Sequence, residues 1–257
     1  MSWLKTFVAL ATLQTLVFTP ALAGEDLNQI KSSGVLKIGT EGTYAPFTFH
    51  DSSNELVGFD VEIGRAVAAK LGVKPEFVEG KWDGLIAGLD AKRYDAVINQ
   101  VGITEARKQK YNFSDPYIVS KAVLIVRDDN TEITGFEDLK GKKSAQSLTS
   151  NFGKLAEAAG AELVGTDGFD QAIQLVLTGR ADATINDSLS FLDFKKQKAD
   201  APVKIAAEKA EAEASGIIVR KGDDELVAAI NKALADIKAD GTYETISAKY
   251  FGQDVSK

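Results

Sequence analysis

Arg93-Tyr94-Asp95-Ala96-Val97-Ile98-Asn99-Gln100 and Arg180-Ala181-Asp182-Ala183-Thr184-Ile185-Asn186-Asp187 carry Arg, Asp, Ala, Ile and Asn at identical spacing. Each follows an apolar helical stretch, Trp82–Leu89 in one case and Phe169–Leu177 in the other. A helix, then Arg-x-Asp-Ala, then a strand is a convenient αβ connection, so coincidence is one reading of the echo. The stronger reading is two lobes built alike. In open α/β sheets ligands gather beyond the carboxyl ends of the strands. The echo therefore puts Asn99-Gln100 at one strand end and Asn186-Asp187 at another, and lobes that face each other would line one cleft with both pairs.

The same alternation extends outward from these strands. Val35–Gly39, Tyr94–Ile98, Glu162–Val164 and Ala183–Ile185 read as strands. Asp60–Leu71 reads as a helix, with Ile63, Val67 and Leu71 four apart and Gly72 as its stop. Thr104 reads as the N-cap of a helix running to Lys110, and Asn151–Ala159 and Asp224–Ala239 complete the clear helices. The longest, Asp224–Ala239, sets Leu226, Ile230, Leu234 and Ile237 on one face before Gly241. Strands alternating with helices predict mostly parallel sheets covered by helices, an α/β fold. Pro116–Lys121 and Glu211–Gly216 each lead into an apolar strand, Ala122–Val126 and Ile217–Val219, and suit a two-segment hinge. The first lobe then comprises 24–117 and 215–257, and the second 120–212.

Composition narrows the function. The chain has 257 residues, 44% hydrophobic and 26% charged, the balance of a globular protein. Its formal net charge of −7 and lack of a basic block argue against a nucleic-acid partner. With no cysteine, disulfides and thiolate chemistry are excluded. The single histidine, His50, sits in the polar turn His-Asp-Ser-Ser-Asn and reads as a surface residue. Lys5 is the only charge before Gly24. An apolar run from Phe7 to Phe18 follows it, then Ala21-Leu22-Ala23. That pattern predicts a secretory signal peptide over 1–23, cleaved after Ala23, because the run is shorter than the roughly 20 residues that span a bilayer. No cysteine follows for lipid attachment, so the expectation is a soluble protein in a periplasm.

The motifs resemble those of a known family. Gly39-Thr40-x-x-x-Tyr44-x-Pro46-Phe47, Gly58-Phe59-Asp60-Val61-Glu62 and Lys81-Trp82-Asp83-Gly84-Leu85-Ile86 come first. Ile103-Thr104-x-x-Arg107, Phe113-Ser114-x-Pro116-Tyr117, Leu139-Lys140-Gly141-Lys142 and Asp240-Gly241-Thr242-Tyr243 follow in order. Together they resemble the polar-amino-acid-binding proteins of ABC importers, solute-binding protein family 3. Lys-Trp-Asp-Gly and Asn-Gln-Val-x-Ile are most similar to its cystine-binding members. The resemblance implies a type II periplasmic-binding-protein fold, with two α/β lobes joined by a two-segment hinge. It also implies an amino-acid ligand, membrane permease subunits as partners, a monomer, and no catalytic residue, metal or cofactor.

The resemblance also implies a site. A free amino acid carries a carboxylate and an ammonium on one carbon. A planar guanidinium can hold the first bidentately and a carboxylate the second, and the family pattern carries these roles onto Arg107 and Asp187. Taken alone, Arg107 reads as a solvated helix residue and Asp187 as a candidate helix N-cap; only the family spacing promotes both to the ligand. Tyr44 and Trp82 correspond to contacts with the ligand side chain, although a core role suits either ring. Ser147, Ser150, Asn151 and Phe152 fall on the family's ligand-facing loop, where a helix start favours an anion but capping alone would explain Ser150 and Asn151. Asn99 and Gln100 complete the expected lining. Gly102 stands where many relatives carry a hydroxyl, and Ser144–Ser150 replaces a glycine-rich loop.

Beyond Arg107 and Asp187 no residue of this expected lining is charged. An unpaired buried charge is expensive, so a neutral polar amino acid is favoured, cystine first and glutamine next. The competing reading is a dehydratase or lyase on the same fold, since fold does not fix function. Against it, no nucleophile motif, phosphate loop or metal cluster is present to do chemistry.

Overall fold

The computed structural model describes residues 25–257; the expected signal peptide lies outside them. Strand Val35–Thr40 pairs in parallel with Lys74–Glu79 on one side and Ala96–Val97 on the other. Ile218–Arg220 then lies antiparallel between Ala96–Val97 and Tyr111–Phe113. The second sheet repeats the plan. Lys143–Gln146 is parallel to Glu162–Gly165 and Ala183–Asp187, and Ala122–Arg127 lies antiparallel between Ala183–Asp187 and Val203–Glu208. Counted along the chain, each sheet runs second, first, third, incoming, fourth. The incoming strand is the one the chain enters directly after crossing from the other sheet.

This common order explains the sequence echo. The two echoed segments contribute the third strand of each sheet, beside the incoming strand, so Asn99-Gln100 and Asn186-Asp187 occupy equivalent ends. It also adds one reversal to the expectation of mostly parallel sheets: four strands of each sheet run the same way and the incoming strand runs against them. The carboxyl ends of the parallel strands face the space between the sheets. A strand entering from that space must run the other way, so half of the pairings in each sheet are antiparallel.

The helices form where periodicity is strong. Phe59–Leu71 buries Phe59, Ile63 and Val67 against its sheet and ends at Gly72, which is left-handed at φ 76° and donates its N–H to the Ala68 and Ala69 carbonyls. Asp224–Ala239 buries Leu226, Ile230, Leu234 and Ile237. Each such side chain contributes about 1.5–3 kcal/mol on burial. Ala122 to Val126 are all buried, as befits a strand covered on both faces. Tyr94–Ile98 is shorter than expected. Only Ala96–Val97 keeps strand pairing, while Tyr94 turns inward and donates its hydroxyl to the Leu85 carbonyl.

Two crossings join the sheets. Ile118–Ser120 and Glu213–Ser215 pair antiparallel, Ser120 opposite Glu213 and Ile118 opposite Ser215. They fall inside the two segments expected to form the hinge. A small meander, Thr43–Tyr44, Thr48–His50 and Leu56–Val57, projects from the first sheet and carries Tyr44 towards the second.

Candidate ligand cleft

A cavity of about 60 Å³ lies between the carboxyl ends of the two sheets. Tyr44, Trp82, Gln100, Gly102, Ser147, Ser150, Asn151, Phe152 and Asp187 all line it. Asn99 and Arg107 do not. The Asn99 side chain is buried behind the wall, where its Oδ1 accepts from the Glu41 N–H at 2.7 Å and the Thr40 hydroxyl at 3.1 Å. Its Nδ2 donates to Glu41 Oε2 at 2.6 Å. Asn99 thus positions another side chain rather than facing the cavity.

That other side chain is Glu41, which lines the cavity. Burial pushes its carboxyl up to about 7, against the opposing pull of the Asn99 amide. Sequence reasoning passed over it, although it directly follows strand Val35–Thr40 at a carboxyl end, the very rule that selected Asn99 and Gln100. Lys121 and Glu213 line the cavity as well. The expectation of a lining with no charge beyond Arg107 and Asp187 is therefore corrected. The crossing segments expected to form the hinge also run along the cleft and contribute Ser120, Lys121, Glu213 and Ser215 to its wall.

Gln100 is held from behind. Its backbone is left-handed at φ 52°. Asp60 accepts from its N–H and its Nε2, both at 2.8 Å, and the Tyr117 hydroxyl also donates to Asp60 at 3.1 Å. Complete burial pushes the Asp60 carboxyl up to about 7, partly offset by these donors. The Gln100 Oε1 and the Trp82 Nε1 are buried without a partner among the described residues.

Asp187 caps helix Ser188–Gln197, accepting from the Leu189 N–H at 2.8 Å, and the Ser120 hydroxyl donates to its other oxygen. It both caps and lines the cavity, so the two readings of this residue are compatible. Burial pushes its carboxyl up to about 6. Ser150 likewise caps its helix, accepting from the Gly153 N–H at 2.9 Å and donating to the Ser147 carbonyl at 2.7 Å.

Arg107 stands just outside the cavity. Thr104 caps its helix and accepts the Arg107 N–H at 3.3 Å. The guanidinium lies 5.4 Å from the Trp82 ring centroid and donates to the Gly102 carbonyl at 3.0 Å. Only 9% exposed, it has no carboxylate within 4.0 Å among the described residues. Burial lowers its pKa, and the nearby charge of Glu213 acts the other way. Arg107 is thus a buried cation without a paired carboxylate, beside two cavity-lining residues, Trp82 and Gly102.

The cleft is shut. The Tyr44 hydroxyl reaches Asn186 Oδ1 at 2.7 Å and the Ser190 hydroxyl reaches the Ala45 carbonyl at 3.1 Å. Lys81 pairs with Asp167 at 2.6 Å, and Asp83 accepts from the Thr149 N–H and hydroxyl at 2.9 and 2.8 Å. Every one of these contacts spans the two sheets.

Two matching lobes, a crossing ladder and a polar cavity between the lobes define a two-lobed binding protein. The chain belongs to the bacterial extracellular solute-binding proteins, family 3, whose family model matches residues 36–253. It is 50% identical over 229 residues to the L-cystine-binding protein TcyA of Bacillus subtilis strain 168, covering 89% of this chain and 85% of that one. The unliganded, open L-cystine solute receptor of Neisseria gonorrhoeae is 48% identical and covers 91% of this chain and 100% of its own, with a TM-score of 0.60. An ancestral arginine-binding protein bound to arginine is 43% identical and superposes better, at 0.80, over 85% of this chain and 99% of that one. The better fit to the bound form, despite lower identity, agrees with the shut cleft.

Proposed function

We propose that this protein captures L-cystine between its lobes and delivers it to an ABC importer. The observation that carries the reading is the pair of buried acids lining one cavity. Asp187 and Glu41 both lie at strand ends, and burial pushes both carboxyls up, to about 6 and about 7. Each is costly to ionise alone and is relieved by an ammonium. Cystine carries two ammonium groups and glutamine one; arginine and lysine also bring two cations to two acids, and the similarity to cystine-binding proteins decides for cystine. In this arrangement Arg107 takes one carboxylate, Asp187 the ammonium on the same carbon, and Glu41 the distant ammonium. Tyr44, Trp82 and Phe152 wall off water, which strengthens the charge contacts. The similarity to cystine-binding proteins supports the same choice.

The supporting framework is a first lobe of 24–117 and 215–257, a second of 120–212, and the paired crossing strands as hinge. Export through a signal peptide over 1–23, with cleavage after Ala23, places the monomeric protein in the periplasm. One observation favours a second reading, a dehydratase or lyase: a buried carboxyl near 7 such as Glu41 is what a general acid or base requires. Incubating the purified protein with amino acids and following their turnover separates the two readings, and binding without turnover is expected. A thermal-shift screen of common amino acids tests the ligand. L-cystine should raise the melting temperature most, by mass action on the native state. A larger shift with arginine or glutamate would refute the assignment.

A further inference from the structure

A second, wider space of about 750 Å³ opens outside the cavity, lined in part by Thr104, Arg107, Lys154 and Lys209. It shares two residues with the cavity, Asn151 and Glu213. Asn151 begins a helix of the second lobe and Glu213 begins the second crossing strand. Their side chains meet where the two spaces adjoin, Asn151 Nδ2 donating to Glu213 Oε2 at 2.9 Å.

The junction lies at the carboxylate end of the site. Arg107 lines the outer groove, yet its guanidinium is bonded to the carbonyl of Gly102, a cavity residue. A Cβ on Gly102 would lie 3.5 Å from Asn151 Nδ2 and 3.6 Å from the Arg107 Nη1. Gly102, Arg107 and the Asn151–Glu213 bridge therefore meet at one point. A ligand that pairs its carboxylate with Arg107 must end there. A ligand prolonged through an amide at that carboxyl would have to continue through the bridge into the groove.

We propose that the Asn151–Glu213 bridge is a specificity gate that restricts the site to amino acids with a free carboxylate and turns away carboxyl-extended, peptide-like ligands. The inference rests on the amino-acid-binding reading above. The groove beyond is wide enough for an extension, so the rejection resides in the bridge. Specificity of this kind comes from what an interface refuses.

The test compares L-cystine with the disulfide dimer of L-cysteinylglycine, which keeps both ammonium groups and moves each carboxylate one residue out. Calorimetric dissociation constants for both are measured on the wild type, Glu213→Ala and Glu213→Gln. Glu213 is exposed and its backbone pairing with Ser120 does not need the side chain, so both variants are expected to fold. The wild type should prefer L-cystine by roughly 100-fold or more. Glu213→Ala should cut that preference at least about tenfold, while Glu213→Gln, which can still accept from Asn151, should stay within about threefold of wild type. An unchanged preference in Glu213→Ala, or a wild type that binds both ligands alike, would overturn the gate. A wild type that fails to bind L-cystine while binding another amino acid would instead overturn the cystine assignment. The same ratio, taken with that amino acid and its glycine-extended form, then decides the gate.

Discussion

Replacing Asp187 with Asn separates what this carboxylate does for the ligand from what it does for the fold. Burial raises its pKa from an ordinary 3.8 to about 6, a difference of about 3 kcal/mol against the ionised form. At pH 8 the unliganded protein carries that cost. Asn has no charge to bury, and its Oδ1 can still cap Leu189, since Asn and Asp are comparable N-caps. The unliganded variant should therefore melt at or a few degrees above wild type at pH 8, where about 1 kcal/mol corresponds to about 2–4 °C for a chain of this size. Ligand binding should move the other way. An ammonium buried without its carboxylate loses roughly 2–5 kcal/mol, or about 30-fold to several thousand-fold in affinity. Scanning calorimetry without ligand and titration calorimetry with L-cystine read the two effects. An Asp187→Asn protein that binds within about threefold of wild type would refute the ammonium role. One that melts far below wild type would show that the carboxylate mainly serves the fold.

Other changes test the remaining parts. Arg107→Ala should melt near wild type without ligand but bind L-cystine at least about 30-fold more weakly, since it strands the ligand carboxylate; titration calorimetry reads both wild type and variant. Tyr44→Phe removes the bond to Asn186 that ties the lobes together, a loss of about 1 kcal/mol. Its affinity should fall several-fold, with the dissociation rate rising in stopped-flow measurements. Small-angle scattering should show the radius of gyration shrinking when ligand is added, because only the shut form contacts the ligand from both lobes. Between pH 5 and 8 the unliganded protein should lose stability. Glu41, Asp60 and Asp187 have folded-state values raised to about 7, 7 and 6, so their contribution is full below the unfolded values and is lost as pH rises through 6–7. Affinity for L-cystine should rise over the same window as Glu41 and Asp187 ionise, and calorimetry at pH 5, 6.5 and 8 would show either trend failing.

Much of the fold was legible because its periodicity is strong. Phe169–Leu177 and Asp224–Ala239 form over the expected residues, each carrying an apolar stripe long enough to define a face. The echo around Arg93 and Arg180 located the third strand of each sheet. Other elements left weaker marks. Lys74–Glu79 is a sheet-edge strand with no fully buried residue and Pro75 within it, so nothing in its pattern separates it from a loop. Helix Ser188–Gln197 sets Leu192 in solvent at 59% exposure, which blurs its stripe. Helices Glu25–Ser33 and Thr242–Phe251 also went unread.

The site divides in the same way. Gln100 and Asp187 were legible because topology fixes where strand ends point, whereas Asn151 was legible only through the family's ligand-facing loop. Asn99 followed the same rule and yet turns away, since side chains alternate across a strand and its amide is taken by Glu41. Glu41 follows the carboxyl end of Val35–Thr40, so the strand-end rule reaches it; Glu213 belongs to a crossing segment whose course along the cleft exists only once both sheets are in place. Without Glu41 the expected lining held no acid for a second ammonium on the ligand.

Titration calorimetry of the mature protein with L-cystine, glutamine and arginine at pH 7.5 tests the central claim most directly. One L-cystine should bind per chain, more tightly than either competitor: glutamine has no second cation for Glu41, and the chain is 50% identical to a cystine-binding relative against 43% to an arginine-bound one. No binding of L-cystine, or tighter binding of glutamine or arginine, would contradict it.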